Sequence, residues 1–112
     1  MFDFLKPKPA AYQNMSPEQF AAALRQPEAL LLDVRRPEEF AGGHLPGALN
    51  VEVTAPDFTQ RVAALDHSRP VYVYCRSGAR SASAARQLSG AGFPAVAHLV
   101  GGVLDWPGPL VR

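Results

Sequence analysis

The segment from Val71 to Leu88 constrains the fold more than any other. Val71-Tyr72-Val73-Tyr74 is a run of β-branched and aromatic residues, which suit a buried strand. It ends on Cys75, the only cysteine in the chain. Arg76-Ser77-Gly78-Ala79-Arg80 follows as a short loop, and Ser81-Ala82-Ser83-Ala84-Ala85-Arg86-Gln87-Leu88 has the small residues of a helix packed close to a sheet. Strand, loop and helix in this order belong to an α/β sheet, where ligands bind outside the carboxyl ends of the strands. Cys75 sits at that end.

The loop suits an anion and a thiolate together. Residues 75–80 contain no proline, so each carries a backbone N–H. A tight curl converges these donors into a concave nest, and the next helix adds the positive end of its dipole. Gly78 permits a backbone angle that other residues resist. With Arg76 and Arg80 nearby, these surroundings are expected to lower the Cys75 pKa below that of a free thiol. The competing reading is an inert cysteine ending a core strand; the glycine and two arginines directly after it favour the reactive one.

Charge is unevenly placed. Every Asp and Glu lies at or before Asp66 except Asp105, whereas Arg69, Arg76, Arg80 and Arg86 fall in the acid-free stretch from His67 to Val100. A net charge of +1 therefore hides a basic half built around Cys75, which favours a small anionic substrate. A single cysteine excludes an internal disulfide framework. His44, His67 and His98 show no metal-ligand spacing with one another or with Cys75, so no metal is expected. No apolar run approaches a bilayer span. The first residues lack a signal peptide's apolar region, so a cytoplasmic setting is expected.

At 112 residues the chain is read as an N-terminal arm, 1–10, and one domain, 11–112. Residues 11–15 read as a short edge strand. Ser16-Pro17-Glu18-Gln19 carries an N-cap, a proline at the first helical position and a capping-box glutamine. The helix it opens is expected to run to Pro27. Ala29–Val34 is apolar on both faces, as in a buried parallel strand. It brings Asp33 and Arg35 to its carboxyl end, on the same edge as Cys75 if the strands are parallel, for an ion pair or loop-orienting hydrogen bonds, or for a structural pair with no substrate contact. Arg36–Phe40 makes a helical turn, His44 is a structural hydrogen-bonder, Ala48–Val53 is a short strand, and Pro56–Leu65 is a helix. After the helix ending near Leu88 come a strand over Ala95–Val100 and a sharp turn that lays Trp106 over the core. Strands alternating with helices imply an α/β fold with a mainly parallel sheet.

Three motifs carry a family resemblance. Asp33-Val34-Arg35-Arg36-Pro37-Glu38-Glu39-Phe40 leads into Gly43-His44-Leu45-Pro46-Gly47-Ala48-Leu49-Asn50; Cys75-Arg76-Ser77-Gly78-Ala79-Arg80-Ser81 follows; Gly101-Gly102-Val103-Leu104-Asp105-Trp106 comes last. In this order they resemble a single-domain rhodanese, a sulfurtransferase, over about residues 12–107. The resemblance implies a five-stranded, mainly parallel sheet flanked by helices. It also implies ping-pong chemistry, in which Cys75 takes the outer sulfur of thiosulfate or another sulfane donor as a persulfide and passes it to a thiol or protein acceptor. No cofactor beyond that covalent intermediate is implied, and no nucleic acid. Arg76, Ser77, Gly78, Ala79 and Arg80 would bind the donor, with Asp33 and Arg35 in support. Phosphatases and arsenate reductases on the related fold have five residues between Cys and Arg. Only four separate Cys75 from Arg80, which argues against a phosphate ring. A non-enzymatic binding module is the other alternative, but such domains often lack the cysteine.

Overall fold

The computed structural model describes residues 12–112, so the arm 1–10 lies outside the described residues. Among the described residues five strands form one sheet: β1 Gln13–Met15, β2 Leu30–Asp33, β3 Leu49–Asn50, β4 Val71–Tyr74 and β5 Val96–Leu99. Their order is β1-β5-β4-β2-β3, and every pairing within the sheet is parallel. β4, buried at all four positions, lies at the centre, and the short β1 and β3 lie at the edges. The helices are α1 Pro17–Ala23, α2 Pro37–Gly42, α3 Phe58–Ala63 and α4 Ala79–Gly90, with a 3₁₀ turn over Gly102–Asp105.

The pleat sends successive side chains of each strand to opposite faces and so divides the core. Leu32 and Val34, Val71, Val73 and Cys75, and Val96 join Phe58 and Val62 of α3 and Ala84, Ala85 and Leu88 of α4. The opposite layer holds Leu31, Tyr72, Tyr74, Ala97 and Leu99 with Phe20 of α1 and Leu45. Trp106 packs against this second layer, its ring edge-on to Phe20 at a centroid distance of 6.2 Å. Cys75 therefore belongs to the α4 layer, and Tyr74 points away from it.

Local chemistry sets most element boundaries. Ser16 Oγ accepts from the Gln19 N–H at 3.2 Å, and Gln19 Oε1 accepts from the Ser16 N–H at 2.9 Å, closing the expected capping box. The helix ends at Ala23, short of Pro27: Arg25 and Gln26 donate to Ala22 and Ala23 in tighter turns, and a residue before proline resists the helical conformation. The strand expected over Ala48–Val53 contracts to two residues, although Val51 and Val53 still donate to the carbonyls of Asp33 and Val34.

Candidate active site

β4 delivers Cys75 to the carboxyl edge of the sheet, and α4 begins four residues later. Between them the loop turns back on the cysteine sulfur. The Gly78 N–H donates to Sγ at 3.1 Å and the Ser81 N–H at 3.3 Å; Ser81 Oγ lies 3.6 Å away. Gly78 has φ +111°, and a Cβ there would collide with the Val100 carbonyl oxygen, so this turn requires glycine. The Val103 N–H donates to Cys75 O at 2.9 Å and the Leu104 N–H to Arg76 O at 3.2 Å. The 3₁₀ turn thus braces the loop from behind. Its Gly102, φ +65°, lies so close to the Arg76 carbonyl that a side chain would clash.

Cys75 is 1% exposed. Burial pushes its thiol up, but the Ser81 hydroxyl and the N–H groups of Ser81, Gly78 and Ser77 outweigh this, leaving the pKa below its ordinary value. The expected lowering is present, carried by short-range donors to sulfur more than by the two arginines named for it. Such a site can hold a thiolate and stabilise negative charge that builds on a sulfur attached to it.

The two arginines part company. Arg76 is exposed, and among the described residues no carboxylate pairs with it. Arg80 is committed: its Nη1 and Nη2 donate to Glu39 Oε1 and Oε2 of α2 at 2.6 and 3.0 Å. Glu39 also accepts from the Arg36 N–H, and the Arg80 contact brings its carboxyl down to about 2. Through this contact Arg80 holds the loop against α2. Ser77 and Ala79 are exposed on the rim, and Gly78 is buried beneath it.

Asp33 and Arg35 form the expected pair. Arg35 Nε and Nη2 donate to the Asp33 carboxylate at 2.7–3.1 Å, and Nη2 also donates to Gly43 O at 2.7 Å. Tyr74 Oη donates to Asp33 Oδ2 at 2.6 Å and accepts from the Leu45 N–H at 3.0 Å. Asp33 is in register with Tyr74 and shares its face of the sheet, opposite Cys75. The pair ties β2 and β4 to the segment after α2 and does not contact the cysteine. His44 has the structural role expected, with Nδ1 2.8 Å from Phe40 O and its ring stacked on Phe40.

Sequence reasoning passed over Ser81 and Glu39, although both stand in the quoted motifs; Glu39 lies 41 positions from its partner Arg80. It also passed over His98, which lies 2.9 Å from Ser81 Oγ. No local signal marks His98, because only strand order puts β5 beside β4.

A family model, the rhodanese-like domain, matches residues 16–108. An uncharacterized Bacillus subtilis protein, YqhL, is 37% identical over 98 residues, covering 88% of this chain and 75% of its own. The thiosulfate sulfurtransferase GlpE of Stutzerimonas stutzeri is 38% identical over 96 residues, covering 85% of this chain and 84% of its own. The solution structure of the rhodanese-like domain from the Anabaena protein Alr3790 superposes with a TM-score of 0.77 at 29% identity, over 88% of this chain and 77% of that one. Sheet order, cysteine loop and family match agree: the chain belongs to the rhodanese-like family.

Proposed function

We propose that this protein is a sulfurtransferase that moves a sulfane sulfur from thiosulfate, or a related anionic donor, to a thiol or protein acceptor through a persulfide on Cys75. One observation carries the reading: the Cys75 sulfur receives the Gly78 and Ser81 N–H groups inside the loop. The thiolate attacks the outer sulfur of the donor. A new S–S bond forms, the old one breaks, and sulfite leaves with its electron pair. The converging N–H groups stabilise the persulfide anion. An acceptor thiolate then attacks the terminal sulfur, and Cys75 leaves as thiolate. Neither transfer step changes the number of protons. The persulfide is the only intermediate the scheme needs, with no cofactor. Similarity to the sulfurtransferase GlpE supports the same reading.

Intact mass tests it. Incubation with thiosulfate should add one sulfur atom, and cyanide should remove it. A mass unchanged by thiosulfate sinks the proposal.

The two arginines should separate by donor. Arg76→Ala should raise KM for thiosulfate by about five- to tenfold, less than a buried charged hydrogen bond would give because the side chain is exposed, with little loss in kcat. A neutral polysulfide should suffer less, and Arg76→Lys should recover only part of the loss because it lacks the planar fork. Arg80→Ala should weaken both donors alike and slow alkylation of Cys75, since the tie to Glu39 shapes the loop. Steady-state kinetics with both donors decides the matter; equal losses at Arg76 would remove its anion-binding role.

A further inference from the structure

His98 is a buried, titratable group that takes no part in the two sulfur-transfer steps. It is 5% exposed, and Ser81 beside it is 0% exposed. His98 lies on β5 in register with Val73, on the face that carries Cys75 and α4. Its Nδ1 is 2.9 Å from Ser81 Oγ, and its Nε2 is 2.9 Å from Oδ1 of Asn14, its register partner on β1. Ser81 Oγ in turn stands 3.6 Å from Cys75 Sγ and 3.1 Å from Gly78 O. A line of polar atoms therefore runs from the cysteine sulfur through one hydroxyl to one imidazole.

Counting protons along that line gives two well-bonded states. With Cys75 as thiol, S–H donates to Ser81 Oγ, the Ser81 O–H donates to His98 Nδ1, and Nε2–H donates to Asn14 Oδ1. With Cys75 as thiolate, the sulfur needs the Ser81 proton, and a bare Nδ1 would compete for it. A proton on Nδ1 reverses that bond: His98 donates to Ser81, and Ser81 donates to sulfur. The Asn14 contact is the same in both states. One proton moved along the line interconverts them.

We propose that His98, acting through the Ser81 hydroxyl, receives the thiol proton of Cys75 and holds it while Cys75 is a thiolate or persulfide. The S–H bond breaks as an O–H bond forms on Ser81. The original Ser81 O–H bond breaks as an N–H bond forms on His98, and sulfur keeps the electron pair. The imidazolium then supplies a positive charge one hydroxyl away from the anionic sulfur. His98 is thus a positioning residue for the nucleophile, and this inference rests on Cys75 being that nucleophile. Its other ionisable neighbours are Arg86 of α4 and Tyr12, whose ring stands edge-on at 5.4 Å. No carboxylate of the described residues pairs with it. Burial, and then Arg86, lower its pKa, which favours the neutral imidazole unless a nearby thiolate offsets them.

Imidazole ¹⁵N shifts and alkylation rates test this with no sulfur donor present. Over the pH range just above the onset of Cys75 alkylation as a thiolate, before the imidazolium itself titrates, wild-type His98 should carry both protons. In Cys75→Ala it should be neutral over the same range. His98→Asn can bond Ser81 but cannot take the proton, and Ser81→Ala breaks the line. Each should raise the midpoint of the iodoacetamide pH profile by about one unit, or about tenfold in rate below it. The double variant should go no further than the singles. A neutral His98 beside a reactive thiolate, or a His98→Asn profile overlying the wild type, overturns the relay. A working relay in a protein that thiosulfate does not modify would sink the sulfurtransferase reading alone.

Discussion

Cys75→Ser is expected to abolish sulfur transfer while leaving the fold in place. A hydroxyl in the same position can still accept from the Gly78 and Ser81 N–H groups, so the loop keeps its donors satisfied. What disappears is a nucleophile that ionises near neutral pH and can carry a second sulfur. Other groups in the loop hold or orient, and none can replace that step. Losing a covalent nucleophile should lower kcat/KM by at least about 10³-fold, equivalent to about 4 kcal/mol of transition-state stabilisation. Thiocyanate formation from thiosulfate and cyanide reads the activity, and a thermal melt reads the fold. The buried position of Cys75 admits only a small change in melting temperature, since oxygen for sulfur changes little volume. Thiocyanate produced at the wild-type rate would move the chemistry to another group.

Asp33→Ala should act the other way round, with a large effect on stability and a small one on the thiol. Asp33 is 0% exposed and Arg35 5%. The carboxylate is the shared acceptor for the Arg35 guanidinium, the Arg35 N–H and the Tyr74 hydroxyl. Burial and the Asp33 contact push the Tyr74 phenol far above its usual range, so it remains a donor that needs an acceptor. Removing one member of a buried pair leaves the other charge uncompensated, at a cost of about 3–5 kcal/mol. The Glu39–Arg80 pair is different: both side chains are partly exposed, and Glu39→Gln should cost no more than about 1 kcal/mol. Urea denaturation of the two variants gives the comparison. Folded Asp33→Ala should alkylate at Cys75 nearly as fast as wild type, because the pair lies across the sheet from the sulfur. A stability loss below about 1 kcal/mol would mean that water reaches the site and screens it.

Much of this molecule follows from contacts short in sequence. The capping box of Ser16 and Gln19 spans three positions, and the Cys75 sulfur finds its N–H donors three and six residues on. Such features appear in the order of residues because a helix start, a proline-free loop and a central strand obey local rules of backbone geometry. The Asp33–Arg35 pair also spans two positions, so it could be anticipated, as could a largely parallel sheet. Which face the pair occupied could not, because that depends on its register with β4. The same holds for the partners of the arginines: Arg80 meets Glu39 only because β2 lies beside β4 and brings α2 against the loop. The line from Cys75 to Asn14 is the clearest case, since its last link joins residues 84 positions apart. Asn14 and His98 carry no motif of their own, and nothing in the cysteine motif that ends on Ser81 points to either of them. They meet because β1, β5 and β4 are neighbours in a parallel sheet whose pleat turns Asn14 and His98 toward α4, and strand order is decided by the packing of the whole core.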